Sequence, residues 1–263
     1  MNHILEKIIE KKREDLIGEK SVELDSRLRG NDRGMDGESL FYKAIVGARK
    51  NPAVIGEVKF ASPSEGDMVY GDGGELLRRV KEYEAAGADA VSVVTEKHFF
   101  KGDLSYVARA KEVVSLPVLQ KDFVIDEYQI YQAKRFGADA VLLIARIVEG
   151  DLLKFFVHLC IELEIEPVVE INSEGELAKV LDSEARLVAV NARDLDTFEV
   201  SVERACEIMK KLPERFVRLG FSGIKSGIEV KQYRDAGARG VLVGTALMKA
   251  DNIRGFFDIV TAK

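Results

Sequence analysis

Short apolar runs recur along the chain from Ala53 onward, and each is followed by a stretch whose apolar positions repeat at helical spacing. The runs predict eight strands: Ala53–Lys59, Ala90–Thr95, Pro117–Lys121, Ala140–Ala145, Pro167–Ile171, Leu187–Asn191, Val217–Phe221 and Gly240–Val243. Amphipathic segments such as Glu75–Ala86, Tyr128–Phe136, Leu152–Leu163, Ser201–Leu212 and Ile253–Val260 follow them. The runs are apolar throughout rather than alternating, as in parallel strands covered on both faces. Gly87-Ala88-Asp89-Ala90-Val91 recurs at Gly137-Ala138-Asp139-Ala140-Val141 and, degenerate, at Gly237-Ala238-Arg239-Gly240-Val241. Each copy ends a helix on a C-cap glycine and opens a β-branched run, so the repeat reads as a βα module. Eight such modules, none resembling an edge strand, predict an α/β chain folded as a (β/α)8 TIM barrel. An open dinucleotide-binding sheet is disfavoured, because no Gly-x-Gly-x-x-Gly follows the first strand.

Residues 1–50 follow a different pattern. Ile4–Ile17 reads as a charged amphipathic helix, and Phe41–Ala48 as a short helix leading into the first strand. Between them, Leu24 to Gly37 is rich in glycine and charge with almost no apolar content, which predicts a mobile loop. The expected division is an N-terminal extension over 1–50, packing on a barrel over 51–263.

Composition narrows the function by exclusion. The 263 residues match one barrel of roughly 250, and 46% apolar content suffices for its core. A formal net charge of −6 argues against nucleic-acid or anionic-membrane partners, though not against a small anion held in a local positive pocket. Cys160 and Cys206 fall inside helical patterns without metal-ligand spacing, so they read as reduced core thiols. No metal and no cofactor are expected. Met1–Lys12 carries charges throughout, unlike a signal peptide, and no apolar run approaches the ~20 residues of a membrane span. A cytoplasmic location is expected.

The ends of the strands carry the chemistry. Six runs lead into polar groups: Glu57 and Lys59, Lys121 and Asp122, Glu170 and Asn172, Asn191 and Arg193, Ser222-Gly223, and Gly244-Thr245. An α/β barrel gathers its active site at that rim. Glu57 and Lys59 share a face, and alone could equally be a buried ion pair closing a barrel layer. Lys121-Asp122 is ambiguous in the same way. Glu170 is harder to dismiss, having no basic neighbour in sequence. Ser222-Gly223 and Gly244-Thr245 place small residues after strands seven and eight, where barrels commonly bind phosphate through backbone N–H groups. Ordinary turn glycines are the plainer alternative for each loop alone.

These positions fall within longer strings: Glu57-Val58-Lys59-Phe60-Ala61-Ser62-Pro63-Ser64, Thr95-Glu96-Lys97-His98-Phe99-Phe100-Lys101-Gly102, Lys121-Asp122-Phe123, Val169-Glu170-Ile171-Asn172, Asn191-Ala192-Arg193-Asp194-Leu195 and Gly244-Thr245-Ala246-Leu247-Met248. In order and without large gaps, from about Phe41 to the end, they resemble the motifs of the indole-3-glycerol phosphate synthase family. The resemblance implies a ring closure in tryptophan biosynthesis, with loss of carbon dioxide and water from a phosphorylated arylamino-ribulose. By matched position, Lys121 would be the general acid and Glu170 a general base. Glu57 and Lys59 would act as a coupled pair that assists dehydration and holds substrate. Asn191 would orient substrate hydroxyls, Arg193 with Ser62 would take the carboxylate, and Phe100 would form a wall for the aromatic ring. Ser222 would contact substrate, and Gly223, Gly244 and Thr245 would bind phosphate. The partner implied is a phosphorylated small molecule, with association to other enzymes of the tryptophan pathway as a further expectation.

Three departures from the family pattern stand out. Phe221-Ser222-Gly223-Ile224 stands where the family usually reads Glu-Ser-Gly-Ile, which puts an apolar ring where a carboxylate would face the substrate. Phe60 occupies an often basic position, and Arg27–Gly37 looks inserted. Phe221 motivates one rival reading, a degenerate barrel that binds the phosphate ligand or a partner with little turnover. Another rival, a phosphoribosylanthranilate isomerase, would need a cysteine at a strand end, and neither cysteine lies there.

Overall fold

The computed structural model describes residues 4–20, 37–68 and 73–261. Eight parallel strands close into a barrel: β1 (Ala53–Val58), β2 (Ala90–Val94), β3 (Val118–Lys121), β4 (Ala140–Ile144), β5 (Glu166–Ile171), β6 (Leu187–Asn191), β7 (Val217–Phe221) and β8 (Gly240–Val243). Each pairs with its neighbours in sequence, and β8 returns to β1 with Ala53 opposite Gly240. Expected and observed strand ends differ by no more than one residue. Around them run α3 (Gly73–Ala86), α4 (Ser105–Lys111), α5 (Glu127–Arg135), α6 (Gly150–Glu162), α7 (Leu177–Asp182), α8 (Val202–Lys211), α9 (Gly227–Asp235), α10 (Thr245–Met248) and α11 (Ile253–Val260), preceded by α1 (Ile4–Glu19) and α2 (Leu40–Val46). The repeated glycines 87, 137 and 237 have φ of 92°, 80° and 94°, the left-handed backbone that ends a helix. The loop expected over Leu24–Gly37 lies outside the described residues apart from Gly37.

The unbroken apolar runs follow from burial on both strand faces. In β4, Ala140, Leu142 and Ile144 fill the barrel interior with Ile55, Leu119, Val168, Leu219 and Leu242. Val141 and Leu143 face outward into the layer beneath the helices. Burying each such side chain is worth roughly 1.5–3 kcal/mol, so neither face tolerates polar groups except where something else demands them. At the N-terminal face that demand is structural. Buried Glu166 accepts from Arg186 Nε and Nη2 at 2.8 and 2.6 Å and from Ser39 Oγ at 2.6 Å, which ties β5 to the residue capping α2.

Helix α1 lies at the opposite face. Its buried positions, Ile8, Lys12 and Leu16, recur every four residues and form one stripe. Ile8 joins the interior cluster, and Lys12 Nζ lies 2.7 Å from Asp122 Oδ1 just past β3. Thr95 Oγ1 donates to the other oxygen of Asp122 at 2.6 Å. Further along, Tyr128 OH donates to the Glu19 carbonyl at 3.1 Å. Among the described residues no helix is long and apolar enough to cross a membrane.

Candidate active site

The C-terminal ends of the strands open into a cleft with two lobes. The first, about 810 Å³, is lined by the polar Glu57, Lys59, Lys121, Glu170, Asn191 and Arg193 together with the apolar Phe100, Phe123, Leu142, Ile144, Leu195 and Phe198. Ser62 lies on its rim with Pro63 and Ser64. The second lobe, about 1000 Å³, is lined by Gly223, Gly244 and Thr245 with Glu65, Lys225 and Lys249. Glu57, Lys59, Arg193 and Ser222 line both and form the junction. Every residue given a substrate or catalytic role from the sequence therefore borders one continuous cleft, whereas Asn172, also singled out at a strand end, does not line it.

Charge is concentrated at the junction. Glu57, 1% exposed, accepts from Lys59 Nζ at 2.6 Å, and Lys121 Nζ lies 3.4 Å from its other oxygen. Burial pushes the Glu57 carboxyl up, but the two ammonium groups override it and hold it at about 2. Burial also pulls the Lys121 ammonium down, yet Glu57 and then Glu170 outweigh it and leave its pKa raised. Glu170, 2% exposed, accepts from Asn191 Nδ2 at 3.1 Å through Oε1. Its Oε2 is buried without a hydrogen-bond partner among the described residues. Burial raises the Glu170 carboxyl against the pull of Lys121. Two carboxyls on opposite walls of the barrel mouth, on β1 and β5, are thus driven apart in acidity, the arrangement that separates a fixed charge from a proton acceptor.

Hydrogen bonds to backbone hold these side chains in place. Asn191 Oδ1 accepts from the Arg193 N–H at 3.0 Å, and Asn172 Nδ2 donates to the carbonyls of Asn191 and Arg193 at 2.8 and 2.9 Å. Arg193 Nη1 donates to the Phe198 carbonyl at 3.2 Å. The buried Glu96 carboxylate accepts from the N–H groups of His98, Phe99 and Phe100, which sets the Phe100 ring 6.1 Å from that of Phe123. Ser62 Oγ accepts from the Glu65 N–H at 3.2 Å inside a small hairpin, Ala61–Ser62 paired with Gly66–Asp67. Ser222 and Gly223 both take left-handed backbone, with φ of 66° and 80°. Gly244 leaves no room for a side chain unless the Glu57–Lys59 pair shifts: a Cβ there would lie 2.2 Å from Glu57 Oε1 and 3.1 Å from Lys59 Nζ.

Phe221 departs from the expectation that its ring faces the substrate. It is 1% exposed, packs in the interior cluster, and does not line either lobe. Its backbone carbonyl instead accepts from Tyr233 OH at 3.0 Å, which anchors the end of β7. Sequence reasoning also missed residues that border the cleft. Ile4, Leu5 and Ile8 of α1 roof the first lobe; their apolar stripe was visible, but nothing in it named the surface it covers. Lys249, one residue past the Gly-Thr-Ala-Leu-Met string, was overlooked because a lysine at a helix end is commonplace.

Comparison with known proteins gives the same family. The family model for indole-3-glycerol phosphate synthase matches residues 5–258. The indole-3-glycerol phosphate synthase of Lachnoclostridium phytofermentans is 38% identical over 261 residues, covering 95% of each chain. That of Caldanaerobacter subterraneus is 38% identical over 251 residues with the same coverage, and that of Leifsonia xyli is 42% identical over 200 residues, or 76% of each chain. Among solved structures, a thiamine phosphate pyrophosphorylase from Pyrococcus furiosus aligns with a TM-score of 0.58 at 13% identity, over 79% of this chain and 92% of that one. At that identity the likeness speaks for the barrel alone. A family match running through both the extension and the barrel, with relatives aligned almost end to end, means that the chain belongs to the indole-3-glycerol phosphate synthase family.

Proposed function

We propose that this chain converts 1-(2-carboxyphenylamino)-1-deoxyribulose 5-phosphate to indole-3-glycerol phosphate, with loss of carbon dioxide and water, in tryptophan biosynthesis. The observation that carries the reading is the joined cleft: an apolar lobe and a polar, cation-lined lobe meet at Glu57, Lys59, Arg193 and Ser222. Such a cleft suits a substrate with an aromatic ring at one end and a phosphate at the other. Phe100 and the aliphatic wall take the ring, while Arg193 and Ser62 take its carboxylate. Lys59, Ser222 and the backbone of Gly223, Gly244 and Thr245 take the phosphate.

In the first step the ring carbon bearing the carboxylate attacks the ketone, and Lys121 gives its proton to the developing alkoxide. The high pKa of Lys121, set by Glu57 and Glu170, keeps that proton available at neutral pH. The new carbon–carbon bond forms, the bond to the carboxylate breaks, and carbon dioxide leaves. In the second step Lys59 gives a proton to the hydroxyl, which departs as water, while Glu170 removes a proton from the adjacent methylene carbon. Its raised pKa and unpartnered Oε2 suit it to accept that proton. Asn191 aligns Glu170 and the substrate hydroxyls, and Glu57, accepting from Lys59, holds that donor beside the leaving oxygen.

Adding the substrate to the purified chain and following indole fluorescence tests this reading. Stoichiometric release of carbon dioxide and product is expected; saturable binding without product would favour the ligand-binding barrel instead. The reading includes a cytoplasmic location, association with other tryptophan-pathway enzymes, and a role for residues 1–50 as a cover for the barrel of 51–263. Full activity in a chain truncated at residue 50 would count against that role. Recovery of the native protein alone after gentle cross-linking would count against the association.

A further inference from the structure

Besides Glu57 at the junction, the cation-lined lobe contains a second carboxylate that an incoming anion would have to meet. Glu65 sits in the turn of the hairpin after β1, and its Oε2 lies 2.6 Å from Lys249 Nζ. Both residues line the lobe with Lys59, Arg193, Gly244 and Thr245. Lys249 is the C-cap of α10, the helix that Thr245 opens. The ion pair therefore runs from the loop after β1 to the helix after β8. Glu65 is also held below the usual carboxylate range, first by the hydrogen bond from Lys249 and, more weakly, by Arg193 and Lys59. The carboxylate thus feels the same cations that a phosphate in this lobe would use.

We propose that Lys249 is a further substrate-binding residue that grips the phosphate, and that Glu65 competes with the phosphate for it from within the chain. The proposal rests on the placing of the phosphate in this lobe. A phosphate monoester near neutral pH carries about 1.5 to 2 negative charges and three acceptor oxygens, against the single charge of Glu65. Lys249 therefore exchanges partners in favour of the phosphate, and the displaced Glu65 is repelled by it. The exchange unties the hairpin that carries Ser62 from α10, while Lys101 Nζ, 2.6 Å from Asp67, keeps a second hold on it. Side-chain exposures of 31% for Glu65 and 55% for Lys249 mean that little desolvation opposes the exchange. They also keep its effect modest.

The test uses inorganic phosphate as a competitor of turnover in four proteins: wild type, Glu65→Gln, Lys249→Met and the double variant. Phosphate competes with substrate in the wild type. Lys249→Met raises both the phosphate inhibition constant and KM by roughly five-fold, and Glu65→Gln lowers both by a smaller factor. In the double variant most of the Glu65→Gln gain disappears, because there is no ammonium left to release. Fully additive effects, or an unchanged phosphate constant in Lys249→Met, would overturn the proposal while leaving the phosphate site in place. Failure of phosphate to compete in the wild type would overturn the placing of the phosphate itself, and the proposal with it.

Discussion

Replacing Lys121 with methionine removes one ammonium while keeping most of the apolar stem, and the structure sets what should follow. Glu57 loses a cation at 3.4 Å but keeps Lys59 at 2.6 Å, so it is not left as an unpaired buried charge. The fold should therefore lose less than the roughly 3–5 kcal/mol of an orphaned buried charge, on the order of 1–2 kcal/mol, or roughly 2–8 °C in Tm for a chain of this size. Catalysis should respond far more. Loss of a positioned proton donor costs on the order of 10²–10⁴ in kcat, equivalent to about 3–5 kcal/mol of barrier. A second signature separates this from general damage. Glu170 is raised by burial and lowered by Lys121, so without Lys121 its carboxyl rises further. In the proposed reaction Glu170 works as a base in its ionised form, so the acid limb of the pH–rate profile should move to higher pH. Steady-state indole fluorescence across pH, with thermal unfolding as a control, reads both effects. A folded variant within about three-fold of wild-type turnover would remove Lys121 from the mechanism.

Phe221→Glu would place a carboxylate in the apolar barrel interior, where Lys59 is already committed to Glu57 and Asn191 to Glu170. Both stability and turnover should fall, the former by about 3 kcal/mol or more; a stable variant with higher turnover would mean that the ring gives onto the substrate after all. Gly244→Ala would drive a methyl group to 2.2 Å from Glu57 Oε1, so turnover should drop at least about ten-fold while the chain stays folded, as judged by circular dichroism. Glu57 is depressed from its ordinary 4.5 to about 2, so its charge contributes on the order of 3 kcal/mol above pH 4.5, lost as pH falls through 2. The stability gap between wild type and Glu57→Gln in urea should accordingly narrow between pH 6 and pH 3; a gap that stays constant would refute the assignment.

The barrel was legible in the chain because its strands are buried on both faces. Such strands must be apolar from end to end, and the repeated Gly-Ala-Asp-Ala-Val string marks where helices stop and strands start. The polar residues interrupting those runs were legible for the same reason: Glu57, Lys121, Glu170 and Asn191 violate the core rule, and a violation at a strand end points to the site. The chain alone could not say which partner each would have. Glu57 and Lys59 are neighbours in sequence, but Lys121 and Glu170 come to the same charge cluster only when the strands close a ring. Nor could local pattern tell that Phe221, one residue before Ser222 of the cleft wall, turns inward to the barrel core. The stripe of α1 was apparent as amphipathicity, yet only packing decided that Ile4, Leu5 and Ile8 roof the first lobe and that Lys12 meets Asp122. Glu65 and Lys249 lie far apart in the chain and look like ordinary surface charges, and only barrel closure brings them across the second lobe. Burial along a strand is a local demand and leaves its mark in the order of residues. Contacts between strands depend on the closure of the whole ring, and no single stretch of sequence records it.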